Sequence, residues 1–130
     1  IVAIGNMVSY ALKAADILAK DEVSAEVVNM RFVKPLDEKL LDDVAARFKY
    51  VLTVEDHVVH GGFGSAVLEY LAQKQYTHLK VFVHGVPDEF IEHGQPNELY
   101  AMLRLDPPGI ASVAKEFMQT QTKRVEFVAK

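Results

Sequence analysis

Four short apolar segments recur along the chain, separated by stretches in which apolar residues return at helical spacing. The apolar segments cover residues 1–5, 25–30, 50–55 and 80–86. Near-continuous apolar runs of this length are typical of parallel strands that are covered on both faces of their sheet. Their alternation with helical stretches is the pattern of βαβ units. The sequence therefore predicts an α/β fold with a mostly parallel sheet.

Helical periodicity fills the intervals between these segments. Apolar residues repeat at helical spacing across 8–19, 40–48, the stretch that starts near Gly64, 97–103 and 110–118. Asp37 and Glu38 stand where the second of these helices begins, and we expect them to cap it and to favour its positive end. Residues 125–129, VEFVA, fit either an edge strand or a tail, and the pattern does not choose between them.

The composition describes an ordinary single domain of 130 residues, half of them apolar and a quarter charged. A formal net charge of −4 gives no basic surface for nucleic acid or for an anionic membrane. The absence of cysteine excludes disulfides, thiolate nucleophiles and cysteine-based metal sites. No apolar run reaches the ~20 residues that span a bilayer. Because the chain opens on a strand-like segment without methionine, we expect it to be a piece of a longer polypeptide.

A glycine-rich segment, HGGFGSAVLEYL at 60–71, lies between the third strand and the third helix. Gly62 and Gly64 match the start of a dinucleotide-binding fingerprint, but Val67 stands where the third glycine belongs. The region about 20 residues further on offers no acidic side chain for a ribose, and the chain contains no P-loop. We therefore expect Gly61 and its neighbours to form a structural turn, with contact to another domain or subunit as the alternative.

Two histidines close to two carboxylates invite comparison with a metal site. His57 and His60 are three residues apart and follow Glu55 and Asp56. A zinc-binding HExxH helix needs its histidines four apart on one helical face, so the spacing argues against zinc. The segment nevertheless follows the carboxyl end of a predicted parallel strand, where α/β folds place ligands. A position of Glu55 or His57 near a functional cleft therefore stays open.

The remaining polar candidates also fall short of a catalytic set. Asp88, Glu92 and His93 lie together in PDEFIEHG, where a carboxylate could orient a histidine for proton transfer. No serine in a nucleophile-elbow context and no cysteine completes a triad, so a polar loop with a solvated or interface histidine is the simpler interpretation. Arg31 ends the second strand, and we expect it to bind a neighbouring carboxylate or the last carbonyls of an element.

Longer stretches of the chain carry a family resemblance. They are IVAIGNMVSYALKAADIL, VVNMRFVKPLDEKLL, VLTVEDHVVHGGFGSAVLEYL, GVPDEFIEHGQPNELYAML and LDPPGIA, in this order. Together they resemble the C-terminal domain of the 1-deoxy-D-xylulose-5-phosphate synthases, in the transketolase group of thiamine-diphosphate enzymes. The similarity runs from residue 1 to about residue 118. The segment from Arg31 to Asp37 is shared more loosely by the whole group, whereas GGFGSAVLE and PDEFIEHG point to the synthases.

The resemblance implies a fold and a parent enzyme. Residues 1–130 would form one transketolase-type C-terminal domain, a three-layer α/β/α fold with about five strands. The parent would join pyruvate to glyceraldehyde 3-phosphate with release of carbon dioxide, in the bacterial cytoplasm. Thiamine diphosphate and magnesium would be bound by its other domains, through a Gly-Asp-Gly segment followed some thirty residues later by Asn. This domain would pack on those N-terminal domains and support a homodimer.

The resemblance implies no catalytic, cofactor-binding or metal-binding residue in this chain. The residues expected to have structural or domain-interface roles are Arg31, Asp37, Glu55, Gly61, Gly62, Gly64 and His93. Two alternatives remain. The chain could be the C-terminal domain of a 2-oxoacid dehydrogenase E1 β subunit, although PDEFIEHG argues against it. It could also be a stand-alone regulatory or ligand-binding module that uses the loops at Gly5–Asn6 and 61–64.

Overall fold

The computed structural model describes residues 1–128, and their side chains as far as residue 120. Strands and helices alternate in its first part, and two helices follow the last strand. The elements are β1 (Val2–Ala3), α1 (Met7–Lys20), β2 (Val28–Asn29), α2 (Glu38–Arg47), β3 (Tyr50–Val58), α3 (Phe63–Gln73), β4 (Lys80–Val86), α4 (Pro96–Met102) and α5 (Pro107–Val128).

The sheet in this part of the chain is parallel throughout, with strand order β2-β1-β3-β4. Val2 of β1 lies opposite Val28 of β2 on one side and Thr53 of β3 on the other. Strands β3 and β4 pair from Tyr50 to Val58, with an irregularity after Val54. Because all pairs are parallel, the carboxyl ends of the strands meet at one edge of the sheet.

Two apolar clusters cover the two faces of the sheet. One contains Val2 and Val51 from the strands, together with residues of α2 and α3 such as Leu41. The other contains Ala3 and Leu52, together with residues of α1 and α5. Successive strand residues point to opposite faces, so each short strand contributes to both clusters. The helices therefore form a layer on each side of the sheet.

The predicted three-layer α/β/α fold is confirmed. Within residues 1–128 the sheet has four strands, close to the five or so that were expected. Residues 125–128, which the sequence left open between strand and tail, belong to α5, and residue 129 lies outside the described residues. The expected cap of α2 is also confirmed, because Asp37 Oδ1 accepts a hydrogen bond of 3.0 Å from the Leu40 N–H.

Helix α3 packs very closely on β3 and β4 at Gly64. A Cβ atom built on Gly64 would overlap the side chain of Val83 and would lie 2.7 Å from Thr53 Oγ1. The hydroxyl group of Thr53 is fully buried. Only glycine lets the first turn of the helix approach the sheet this far.

The link between α4 and α5 is held to the sheet by Arg104. This residue has a left-handed backbone, with φ 59°, and its carbonyl oxygen accepts a hydrogen bond of 2.8 Å from His84 Nε2 on β4. Its guanidinium donates to Glu116 and Ser112 of α5. Burial of the imidazole lowers the pKa of His84, which favours the neutral ring as the donor to the carbonyl.

Replacing Gly64 by Ala should destabilise the domain by about 1–3 kcal/mol, because the added methyl group has no space between Thr53 and Val83. Urea denaturation followed by circular dichroism measures the difference. Gly94→Ala is the matched control, since its Cβ would meet only the end of the Leu99 side chain at 3.1 Å. The packing argument fails if the two variants are equally stable.

The stability of the domain should fall as the pH is lowered from about 7.5 to about 5.5. The folded state holds the pKa of His84 below its value in the unfolded chain, about 6.5, so the unfolded state takes up protons first as the pH falls. In His84→Gln the profile should be flatter, and the difference between the two profiles isolates His84. His93→Gln, at an exposed position, should keep the wild-type slope. Identical profiles for His84→Gln and wild type would contradict this assignment.

Candidate functional site

A crevice of about 380 Å³ opens at the carboxyl ends of β1 and β3. The chain leaves β1 towards β2 on one side, whereas β3 and β4 lie on the other, so this is the point at which the strand order reverses. Open α/β sheets bind ligands at such points. The walls include Gly5 and Asn6 after β1, Val33 after β2, Asp56 near the end of β3, and Gly61 after it. This crevice is the candidate functional site.

The buried carboxylate of Glu55 forms the base of the crevice. Its relative exposure is 1%. Glu55 Oε2 accepts a hydrogen bond of 2.7 Å from the Phe63 N–H, and Oε1 accepts one of 2.8 Å from the Gly64 N–H. The first backbone N–H groups of a helix have no partner within the helix, and a carboxylate at this end is also favoured by the helix dipole. Glu55 therefore caps α3 from within β3.

Small residues surround this carboxylate because larger ones would collide with it. A Cβ on Gly62 would overlap Glu55 Oε2, and a Cβ on Gly85 would lie 2.7 Å from Glu55 Cγ. Gly61 has a left-handed backbone, with φ 72°, and its N–H donates to Ser65 Oγ at 3.1 Å. The turn from β3 into α3 is thus shaped around the side chain of Glu55.

A second polar group joins three distant parts of the chain at the rim of the crevice. Asp56 Oδ2 accepts a hydrogen bond of 2.6 Å from the Tyr100 hydroxyl and one of 3.0 Å from Asn6 Nδ2. Asn6 Nδ2 also lies 2.9 Å from the Tyr100 oxygen. The hydrogen bond to Asp56 raises the pKa of Tyr100, which keeps the phenol as a donor. This triangle of Asn6, Asp56 and Tyr100 holds α4 against the ends of β1 and β3.

The crevice does not offer the donors that a diphosphate group needs. The N–H groups at the start of α3 already donate to Glu55, so an incoming phosphate would meet a carboxylate instead of free amides. Among the described residues, no group of three His, Asp or Glu side chains is placed to hold a metal ion. The residues present here therefore fit neither thiamine diphosphate nor its magnesium.

Comparison with known proteins decides the family. The family model described as "Transketolase, C-terminal domain" matches residues 1–110. The chain belongs to the transketolase C-terminal domain family. The solved structure of a split-gene transketolase, described as an inactive β4 tetramer, has a TM-score of 0.82 and 35% sequence identity. The matched region covers 91% of this chain and 38% of the transketolase chain.

Similar relatives are 1-deoxy-D-xylulose-5-phosphate synthases. The synthase of Desulforudis audaxviator is 49% identical over 115 residues, which are 88% of this chain and 18% of that protein. The synthase of Heliobacterium modesticaldum is 44% identical over 127 residues, which are 98% of this chain and 20% of that protein. The resemblance to the C-terminal domain of these synthases is confirmed. The chain spans about a fifth of the length of these relatives.

In this transketolase C-terminal domain, the crevice contains some of the residues that the sequence singled out. Glu55, Gly61 and Gly62 lie at the crevice, and His57, considered above for a functional cleft, lines it as well. Gly64 lies behind it, against the sheet. The segment 60–71 does turn β3 into α3, as expected.

Other singled-out residues lie elsewhere. Asp37 caps α2, and His93 is exposed in the loop before α4. Arg31 is exposed, with a left-handed backbone of φ 58°. Its guanidinium forms no hydrogen bond or ion pair with any described residue, so the partner expected for it is not found within this part of the chain. His60 faces Asp88, 3.8 Å away, at the surface.

Sequence reasoning missed the triangle of Asn6, Asp56 and Tyr100. Asn6 entered only as part of a strand-end loop, and Tyr100 only as a residue of the predicted fourth helix. The one available signal was that Asn6 and Asp56 both directly follow predicted parallel strands, whose carboxyl ends share an edge of the sheet. Tyr100 gave no such signal, because it lies on a helix 44 residues further along the chain and not at the end of a strand.

Replacing Glu55 by Gln should destabilise the domain by about 1–3 kcal/mol. An amide of the same size presents one oxygen and one NH₂ group to two N–H donors, so one buried donor loses its partner. Urea denaturation gives the loss, and hydrogen exchange at Phe63 and Gly64 should be faster. Glu69→Gln, on the exposed side of α3, is the control and should change stability by less than about 0.5 kcal/mol. Equal effects of both variants would contradict the capping role.

Proposed function

We propose that this chain is the C-terminal assembly domain of a 1-deoxy-D-xylulose-5-phosphate synthase. The observation that carries the proposal is the similarity to these synthases over most of the chain, 88% to 98% of it at 44% to 49% identity. The parent enzyme would be a thiamine-diphosphate-dependent transferase of the bacterial cytoplasm. It would condense pyruvate with glyceraldehyde 3-phosphate, release carbon dioxide and supply precursors for isoprenoids, thiamine and pyridoxal.

In this proposal the domain contributes contacts and no catalytic group. The diphosphate and magnesium belong to the preceding domains of the same polypeptide, which accords with a helix α3 whose N-terminus is already capped by Glu55. Among the described residues that line the crevice, no nucleophile is paired with a base. When thiamine diphosphate is bound elsewhere in the parent, it supplies the carbanion chemistry of the decarboxylation.

The edge of the sheet that carries the crevice is the surface proposed to meet the rest of the enzyme. Large apolar side chains are exposed in the loops after β2 and β4, where Phe32 is 65% exposed, Val33 42% and Phe90 91%. Exposed apolar side chains grouped at one edge are typical of a surface that another protein surface covers. We name this edge the strand-end surface; it comprises residues 31–34, 56–62 and 88–93, together with Gly5 and Asn6.

The parent is proposed to be a homodimer in which this domain supports the contact between subunits. The similar split-gene transketolase is described as an inactive β4 tetramer, so a chain that shares this domain assembles with copies of itself there. That description also agrees with the proposal that this chain alone has no activity.

The crevice itself favours one alternative, a stand-alone ligand-binding module. A crevice at the reversal point of a parallel sheet is the usual ligand position of such folds. Saturable binding of a nucleotide or a sugar phosphate by the 130-residue chain would favour this alternative. Against it stands the occupation of the α3 N-terminus by Glu55, since phosphates bind at helix ends with free N–H groups.

The isolated chain should unfold cooperatively on heating and should release no carbon dioxide from pyruvate and glyceraldehyde 3-phosphate. The product of the complete reading frame, assayed with thiamine diphosphate and magnesium under the same conditions, should release it. Calorimetry and a carbon dioxide assay measure the two properties. The assembly proposal requires both results, because the domain brings its own core but no reactive group.

Two outcomes would overturn the proposal. Turnover by the pure 130-residue chain would show that it carries its own chemistry. A reading frame without the Gly-Asp-Gly segment and its following Asn upstream would indicate a β subunit whose cofactor motif lies on another chain, or a stand-alone module.

A further inference from the structure

Asp56 lines the crevice, and one oxygen of its carboxylate has no donor among the described residues. Oδ2 accepts hydrogen bonds from both Asn6 and Tyr100, whereas Oδ1 accepts none from any described residue. The side chain is exposed, so water satisfies Oδ1 in the isolated domain. The unpaired oxygen therefore matters only when another surface covers the crevice.

The described part of the domain supplies no cation of its own for this carboxylate. Among the described residues that line the crevice there is no lysine or arginine. The nearest loop carries Arg31 and Lys34, and neither forms an ion pair with a described carboxylate. The apolar part of the wall is formed by Ile4, Val33 and Phe63. The crevice thus combines two carboxylates with an apolar wall; Glu55 already has two backbone donors, whereas Asp56 has one oxygen without a donor.

Covering this surface changes the energetics of Asp56. A carboxylate that is removed from water is strongly unfavourable unless an opposite charge and hydrogen bonds replace the water. Asn6 and Tyr100 replace it at one oxygen only. A covering surface that left Oδ1 unpaired would therefore bind weakly, and one that brings a cation would bind more tightly.

We propose that the strand-end surface docks a basic side chain, arginine or lysine, that reaches Asp56 Oδ1 and lies between apolar neighbours. This inference rests on the proposed function, and its occupant is a segment of the preceding domains of the same polypeptide. The relatives extend over about five times the aligned length, so most of such a protein lies outside this domain and is available to cover the crevice. Arginine suits the position well, because it is weakly hydrated and forms directional bonds to carboxylates.

The test compares Asp56→Asn with Asp16→Asn in the complete protein and in the 130-residue chain. The Asp56→Asn change keeps the size of the side chain and leaves an oxygen that can still accept from Asn6 and Tyr100, but it removes the charge. Asp16 is exposed on α1 and does not line the crevice; it lies ten residues after Asn6, which is about 15 Å along a helix, and serves as the matched control. Amide hydrogen exchange of residues 56–62, followed by mass spectrometry, reports whether the crevice is covered.

In the complete protein, residues 56–62 should exchange at least about tenfold more slowly than in the isolated chain. Asp56→Asn should remove most of that protection in the complete protein and should leave the isolated chain unchanged, whereas Asp16→Asn should change neither. Asp56→Glu retains the charge and should retain most of the protection. If the complete Asp56→Asn protein does not fold, the protection measured in Asp56→Glu tests the inference instead.

Three results would overturn the inference. The first is equal protection in the complete wild-type and Asp56→Asn proteins. The second is loss of protection in Asp56→Glu as complete as in Asp56→Asn. The third is protection that disappears when the complete protein is diluted to single subunits, which would assign the basic side chain to a second subunit. Failure of the proposed function is a separate result, since it is measured as absence of carbon dioxide release and not by exchange.

Discussion

The hydrogen bonds from the first turn of α3 to Glu55 determine how the candidate site is built. A carboxylate that is only 1% exposed is accommodated within β3 because two backbone N–H groups replace the water it has lost. The arrangement fixes the position of α3 relative to the sheet. It also requires glycine at 62 and 85, where a side chain would enter the space of Glu55. The shape of the turn into α3 is therefore dictated by one buried charge.

That capping interaction also limits what the crevice can do. The usual use of a helix N-terminus at the reversal point of a parallel sheet is to bind an anion. Here the anion belongs to the protein itself. The position is a concave surface with an acidic rim. A carboxylate of the chain thus occupies the helix end that a phosphate would need.

The sequence was sufficient for the interactions that depend on neighbouring residues. Strand segments, helix periods and the Asp37 cap all follow from patterns within one element, and the structure contains them. The lengths of the strands could not be predicted from the sequence in the same way. Strands β1 and β2 each contain only two residues, although the apolar runs around them are longer. A run of apolar residues reports burial, whereas strand length depends on the partner strand.

The interactions that the sequence could not reveal are those between distant segments. Glu55 could be placed near a cleft because it ends a strand, but its two bonds reach eight and nine residues ahead, across a glycine turn whose geometry no local pattern defines. The position of the exposed Arg31 side chain is a second example. Its side chain was expected to find a partner nearby, yet the left-handed conformation leaves it in solvent.

The triangle at the crevice rim has a consequence for how this domain can change during evolution. Asn6 and Tyr100 share one carboxylate oxygen of Asp56, although they lie 50 and 44 residues from it in the chain. Residues that share a partner do not contribute independent free energies. Loss of one member lowers the free energy of stabilisation that the other two contribute. Substitutions at these three positions should therefore be epistatic, and the three should vary together or not at all.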